Sequence, residues 1–434
     1  MDFPTIDLHD ATGHATGLRE AQTLVLKLLP FPSRIAFRPA MQYCAPAMDL
    51  HEFLLSLITL YVFARIFGEV AVRFGQSAVL GDLLAGVVIG GSVLGWVQPT
   101  LTLKLMGDIG VMLLLFEIGL ESDPQTFLRV WKSSIGVAII GVLAPFALGY
   151  GLAVATGLGT LQAAFIGATL MATSVAISVR VLDDFGKLHT TEGKIIIGAA
   201  VIDDILVLLA LSVIISLADR GTVSGLEIVK ASAPALLFLC VAIAAGIRYV
   251  HLFSRLVDHM STRGSLVIVA MTFALILGES AELVGLAPII GAFAAGLVLA
   301  RAEHQAHITE RIKPVADVFV PIFFVLVGAA VDLSLLNPFD RQNRPVLLLT
   351  GGLILAAIVG KLLAGAGAAG EGVSRFTIGA GMVPRGEVAL IIAATGLSHE
   401  VISRSEYGAI ILMVAVLSLL APLLLKFALQ RAPR

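Results

Sequence analysis

Two aspartates, Asp203 and Asp204, stand side by side in an apolar run, with Ala199-Ala200-Val201 before them and Leu206-Val207-Leu208-Leu209 after. A charge in such a setting is costly and needs a reason. Two carboxylates this close, away from water, cannot both ionise cheaply, so one of them readily keeps a proton. That chemistry suits a group that holds a cation when charged and a proton when neutral. Adjacent residues of a helix point about 100° apart, so the two carboxylates face different neighbours. The other paired acids, Asp183-Asp184, read as residues of a solvated loop.

Lys361, in Ile358-Val359-Gly360-Lys361-Leu362-Leu363, is deep enough in an apolar stretch to offset a buried acid, and a salt bridge to the Asp pair is expected. A desolvated lysine also releases its proton readily, so cation binding that breaks the bridge could free a proton. Thr169, Thr173, Ser174 and Ser178 cluster around Met171-Ala172. Either their hydroxyls bond back to their own helix, or the segment is locally unwound and offers hydroxyls and free carbonyls to a small cation. In Gly379-Ala380-Gly381-Met382-Val383-Pro384-Arg385-Gly386-Glu387, a proline flanked by glycines inside an apolar span predicts a broken helix. Arg385 and Glu387 beside that break are expected to form a supporting ion pair. Glu117 reads as a snorkelling or interhelical acid near the end of its span, and His189, His251, His259, His304 and His307 as loop residues.

These residues need elements to carry them, and composition says which kind. The chain has 434 residues, 58% hydrophobic and 14% charged, with a mean hydropathy of +0.96. A soluble domain is about 45–50% apolar and about 25% charged. A membrane span takes roughly 20 apolar residues as a helix, and such runs recur almost to the last residue. The alternating segments of an outer-membrane barrel are not seen. Cys44 and Cys240 make neither a disulfide framework nor a metal site. No resident cofactor and no enzymatic activity are expected.

Thirteen helical spans are predicted, at about 50–73, 77–95, 101–121, 132–156, 160–182, 192–218, 228–252, 264–283, 285–301, 313–335, 345–368, 374–397 and 404–430. With the amino end of the first helix outside, inside segments carry sixteen Lys and Arg against six outside. That bias places the carboxyl end in the cytoplasm. Residues 1–47, broken by Pro30, Pro32, Pro39 and Pro46, read as a disordered tail or as a segment before the true start at Met48.

The two halves resemble each other. Gly81-x-x-x-Ala85-Gly86 recurs as Gly291-x-x-x-Ala295-Gly296, 210 residues on, and Gly119 and Asp123 recur as Gly328 and Asp332, 209 residues on. Six helices on each side of a linker form two inverted repeats, a signature of secondary transporters that places the ion site where the repeats meet. The fold expected is thus an all-α polytopic membrane protein.

From about Met48 to its end the chain resembles the sodium/proton antiporters of the cation:proton antiporter superfamily, in the branch that carries an Asp-Asp pair. The resemblance rests on Ala199-Ala200-Val201-Ile202-Asp203-Asp204, Ala172-Thr173-Ser174-Val175, Gly360-Lys361 and Gly381-Met382-Val383-Pro384-Arg385-Gly386-Glu387. It implies Asp204 as principal cation ligand, Asp203 as partner of Lys361, and Thr173 and Ser174 in a site formed by crossed broken helices. It also implies a homodimer in the inner membrane, with a transport core at about 101–218 and 313–430. The dimerisation helices would be about 50–95 and 228–301. The core would move as a rigid body to exchange Na⁺, or Li⁺, for protons. Alternatives are a K⁺/H⁺ antiporter on the same scaffold and a sodium-coupled symporter of an organic anion. An intramembrane aspartyl protease fits poorly, since its two acids must come from separate helices.

Overall fold

In the computed structural model, the described residues are 49–122, 124–220, 264–302, 304–331, 344–370 and 372–431, with scattered positions from 233 to 248. The seventh predicted span, the linker, and Asp123 and Asp332 of the repeat lie largely or wholly outside them. The described secondary structure is helical: α1 (Leu50–Arg73), α2 (Ala78–Ile89), α3 (Leu101–Glu121), α4 (Pro124–Ala155), α5 (Thr160–Thr169), α6 (Val175–Asp184), α7 (Thr191–Arg220), α8 (Ser265–Leu283), α9 (Pro288–Leu299), α10 (Gln305–Ala329), α11 (Arg344–Ala364), α12 (Arg375–Gly381), α13 (Glu387–Ser398) and α14 (Arg404–Arg431). Seven of these segments are long and apolar enough to cross a membrane, and shorter apolar helices accompany them.

Local chemistry starts and stops the helices. The side chains of Asp49, Ser77 and Thr100 accept hydrogen bonds from the first turns of α1, α2 and α3, supplying acceptors that the helix itself lacks there. The span predicted at 160–182 is two helices, α5 and α6, separated by Leu170–Ser174. The span predicted at 374–397 is likewise two, α12 and α13, separated by Met382–Gly386. Pro384 has no N–H to continue a ladder, and Gly386 is fully extended at φ −148°. Asp183 and Asp184 close α6 instead of lying in a loop beyond it.

Packing sorts the helices into two groups. The helices α1, α2, α3, α8, α9 and α10 pack on one another, and α4 to α7 pack with α11 to α14. The expected division of the chain placed α3 and α10 with the second group. The structure seats both in the first, where their glycines let α3 pack closely on α9, and α10 on α2. A Cβ on Gly119 of α3 would stand 2.8 Å from Gly296 Cα of α9, and a Cβ on Gly296 would stand 2.7 Å from Gly119 Cα. Gly86 of α2 and Gly328 of α10 meet in the same way, at 2.9 and 3.1 Å. Backbones this close gain dispersion along the whole crossing, which is the main attraction available between helices in lipid. The four glycines are among the six that the 209- and 210-residue spacing singles out.

Gly119→Val forces α3 and α9 apart, and we expect it to lower the midpoint of thermal unfolding in detergent, by at least the ~1–3 kcal/mol of an overpacked core. Gly151→Ala, at a position on α4 with open space around it, should leave the midpoint unchanged or raise it. Equal midpoints for both variants and the parent would mean that the crossing does not depend on glycine.

Candidate functional site

The two chain breaks lie against each other at the centre of the second helix group. Ser174 N donates to Pro384 O at 2.9 Å. Thr173 Oγ1 donates to Met382 O at 3.3 Å, and Ser178 Oγ donates to Gly381 O at 2.6 Å, with Ser174 O also in reach at 3.1 Å. Of the four hydroxyls expected here, Thr169 bonds back to its own helix, at Ile166 O, while Thr173 and Ser178 cross to the other break. Ser174 Oγ is buried with no hydrogen-bond partner among the described residues. Gly386 is required beside it, since a Cβ there would stand 2.9 Å from Ser174 Oγ.

Arg385, fully buried, closes the crossing. Its guanidinium donates through one nitrogen to Ala172 O at 2.6 Å and through the other to Leu170 O at 2.5 Å. These carbonyls lie just past the end of α5, where no helical N–H remains to meet them, and the positive fork also offsets the negative end of that helix. Ser418 of α14 holds the segment from behind, donating to Arg385 O at 2.8 Å. The expected ion pair places Arg385 beside Glu387, whose side chain lies outside what the structure describes; the arginine's described bonds go to carbonyls. Neither this task nor Ser418 was anticipated. The legible signal was the arginine directly after the helix-breaking proline.

The α7 helix passes the crossing and presents its aspartates to different neighbours. Asp203 is fully buried and meets Lys361 of α11, also fully buried, with Nζ 3.2 Å from Oδ2 and 3.3 Å from Oδ1. Thr173 lies beside this pair. Asp204, nearly as buried, lines a narrow pocket with Leu115 of α3, Ile289, Ile290 and Phe293 of α9, and Val175 and Val201. That pocket is where the two helix groups face each other. Elsewhere, Glu117 is buried on α3 and pairs with Lys313 of α10 at 3.4 Å, an interhelical bridge inside the first group.

The arrangement offers one carboxylate committed to an ammonium, a second facing the seam between helix groups, and hydroxyl and carbonyl oxygens from two broken helices. Hard oxygen donors around a carboxylate suit a small monovalent cation, and the same carboxylate can take a proton instead. Irregular backbone at membrane depth, crossed around buried charges, is characteristic of secondary transporters of ions. The chain belongs to the sodium/hydrogen exchanger family: the pattern described as "Sodium/hydrogen exchanger, transmembrane" matches residues 56–431.

It is similar to the high-affinity Na⁺/H⁺ antiporter NhaS3 of Synechocystis sp., at 38% identity over 405 residues, covering 85% of this chain and 88% of that one. The Na⁺/H⁺-K⁺ antiporter GerN of Bacillus cereus is 34% identical, over 87% of this chain and 96% of its own. Among solved structures, the sodium proton antiporter MjNhaP1 of Methanocaldococcus jannaschii shares the fold, with a TM-score of 0.66, 18% identity, and coverage of 88% of this chain and 98% of that one.

Lys361→Ala strands Asp203 without its partner, and breaking a buried pair from one side typically costs about 3–5 kcal/mol. We expect a lower unfolding midpoint for this variant, with most of the loss recovered when Asp203→Ala is added. A double variant as unstable as the sum of the two single ones would show that the groups do not stabilise each other.

Proposed function

We propose that this chain is a secondary antiporter that exchanges Na⁺ for protons, with Asp204 as the group that both ions compete for. The observation that carries this reading is the position of Asp204 at the seam between the two helix groups, next to an Asp203–Lys361 pair and the crossing of two broken helices. Asp203, Thr173 and Ser174 complete the site, with Lys361 as the salt-bridge partner of Asp203. Arg385 supports the crossing, and the pairing of Arg385 with Glu387 stays part of the proposal.

Around this site we place thirteen spans in two inverted repeats, with the carboxyl end in the cytoplasm of a cell whose inner membrane holds the protein as a homodimer. The crossings Gly86–Gly328 and Gly119–Gly296, each joining positions that recur at the repeat offset, support the inverted arrangement. So does the bond between Thr173 and Met382, residues 209 apart. Transport then proceeds by movement of the helix group that bears Asp204 against the group of α1, α2, α3, α8, α9 and α10, which forms the dimer. When Na⁺ binds at Asp204 and breaks the bridge between Lys361 and Asp203, Lys361 and Asp204 each release a proton. Two protons exchange for one Na⁺, and the cycle moves net charge. One charge crossing 100 mV is worth about 2.3 kcal/mol, so the membrane potential drives Na⁺ out.

Li⁺ fits the same oxygen site. A K⁺/H⁺ reading also has support, from the similarity to GerN, a Na⁺/H⁺-K⁺ antiporter, and to the K⁺/H⁺ antiporter 1 of Saccharomyces cerevisiae, which is 26% identical. Proton flux in proteoliposomes with Na⁺, Li⁺ and K⁺ added in turn separates these readings.

Asp204→Asn should abolish exchange in such vesicles while leaving the protein folded. Variant vesicles that still change internal pH on Na⁺ addition would remove Asp204 from its role. Because protons and Na⁺ compete for one carboxylate, the apparent Na⁺ affinity should weaken as pH falls. Na⁺ jumps on solid-supported membranes should give capacitive currents. Robust pH changes without current would show electroneutral exchange and overturn the role given to Lys361.

A further inference from the structure

Polar contacts between the two helix groups gather at the far end of α6 from the site. Asp184, the last residue of that half-helix, accepts hydrogen bonds from Ser77 Oγ at 2.5 Å and from Ala78 N at 2.9 Å. Ser77 is the N-cap of α2 and Ala78 its first residue, so a carboxylate of one group caps a helix of the other. A charged acceptor on a helix N-terminus gains from both the free N–H groups and the dipole. One turn back, Arg180 holds Asp184 at 3.4 Å and reaches Asp317 of α10 at 4.0 Å. In the connection after α6, His189 Nε2 lies 3.5 Å from Glu121 at the end of α3, an ion pair when the imidazole is protonated.

Between that end and Asp204 the seam is of a different character. Leu83, Val111 and Leu115 of the first group and Val175, Val179 and Leu182 of α6 belong to one apolar cluster. Dispersion between apolar faces is non-directional, so such faces can slide past each other at modest cost. The Asp184 bonds cannot, because hydrogen bonds fail within a fraction of an ångström and a few tens of degrees. The opposite end of α6 starts at Ser174 in the chain crossing. A ten-residue helix is stiff, so its two ends move together.

We propose that Ser77, Asp184 and Arg180 form a latch that holds the Asp204-bearing helix group in the described conformation and must release in every transport cycle. This rests on the reading that the two groups move against each other around Asp204. The latch is a conformational device at one end of α6, distinct from the ion site at the other. It makes the exchange rate depend on residues that never touch the ion.

The test uses the full chain in proteoliposomes, with Cys44→Ser and Cys240→Ala as background. Ser77→Cys and Asp184→Cys are introduced together and oxidised, and complete cross-linking is checked by mass spectrometry. Na⁺-dependent proton flux should stop on oxidation and return with dithiothreitol, while each single cysteine variant ignores the oxidant. Flux that continues with the cross-link complete overturns the latch. If this pair does not fold, Arg180→Cys with Asp317→Cys, joined by a short bis-methanethiosulfonate linker, reads the same motion with the same two outcomes. Asp204→Asn is run beside them. Flux surviving in that variant sinks the site reading, whereas flux lost there but kept in the cross-linked protein overturns the latch alone.

Discussion

Two stretches of chain leave the helical state at membrane depth, and each meets the backbone groups that the other exposes. Within hydrocarbon no water is available for a free carbonyl or N–H, and each unmet group costs several kcal/mol. Leu170 and Ala172 carbonyls end on Arg385, while Gly381 and Met382 carbonyls end on Ser178 and Thr173. Ser174 N and Pro384 O close the set. Neither break is affordable without the other, so the crossing holds as a unit. The spare oxygens it leaves, including Ser174 Oγ, are the natural material for an ion site.

Charge follows the same logic. Lys361 sits with Asp203 at 3.2 Å, both fully buried, which is tolerable only as a pair. Asp204, one residue on, is turned by the helical twist to the seam with α3 and α9. One residue is held inside its group and the next faces the surface against which that group lies. In the proposed exchange, the chemistry of ion competition and the mechanics of the seam meet at a single side chain. This juxtaposition favours the proposed exchanger over a channel, since the carboxylate proposed to take the ion lies where the two helix groups face each other.

The packing around the site depends on very small side chains. Gly86 against Gly328 and Gly119 against Gly296 bring backbones together, and this binds α3 and α10 to the first group instead of the second. The glycines leave that group well fitted internally, while its contact with the α6 and α7 helices is apolar between Asp204 and the Asp184 end. A tightly fitted group beside a largely apolar seam is consistent with the rigid-body movement proposed above.

Membrane class, the helical character of most of the described spans, the break at Pro384 and the prominence of Asp203, Asp204 and Lys361 were legible in the sequence. Each is a local property: hydropathy over twenty residues, a proline without its N–H, a charge where charges are costly. The break at 170–174 is not decided by sequence, because hydroxyls that bond back to their own helix and hydroxyls that cross to another look alike there. Which aspartate meets Lys361 was not fixed by the residues alone and came only through family resemblance; the pair is 158 residues apart. The two carbonyls under Arg385, the grouping of α3 and α10, and the reach of Asp184 to Ser77 were decided by tertiary structure. Those contacts depend on how far each helix is rotated and how closely its backbone approaches another, and that is set by packing summed over many helices rather than by periodicity along any one of them.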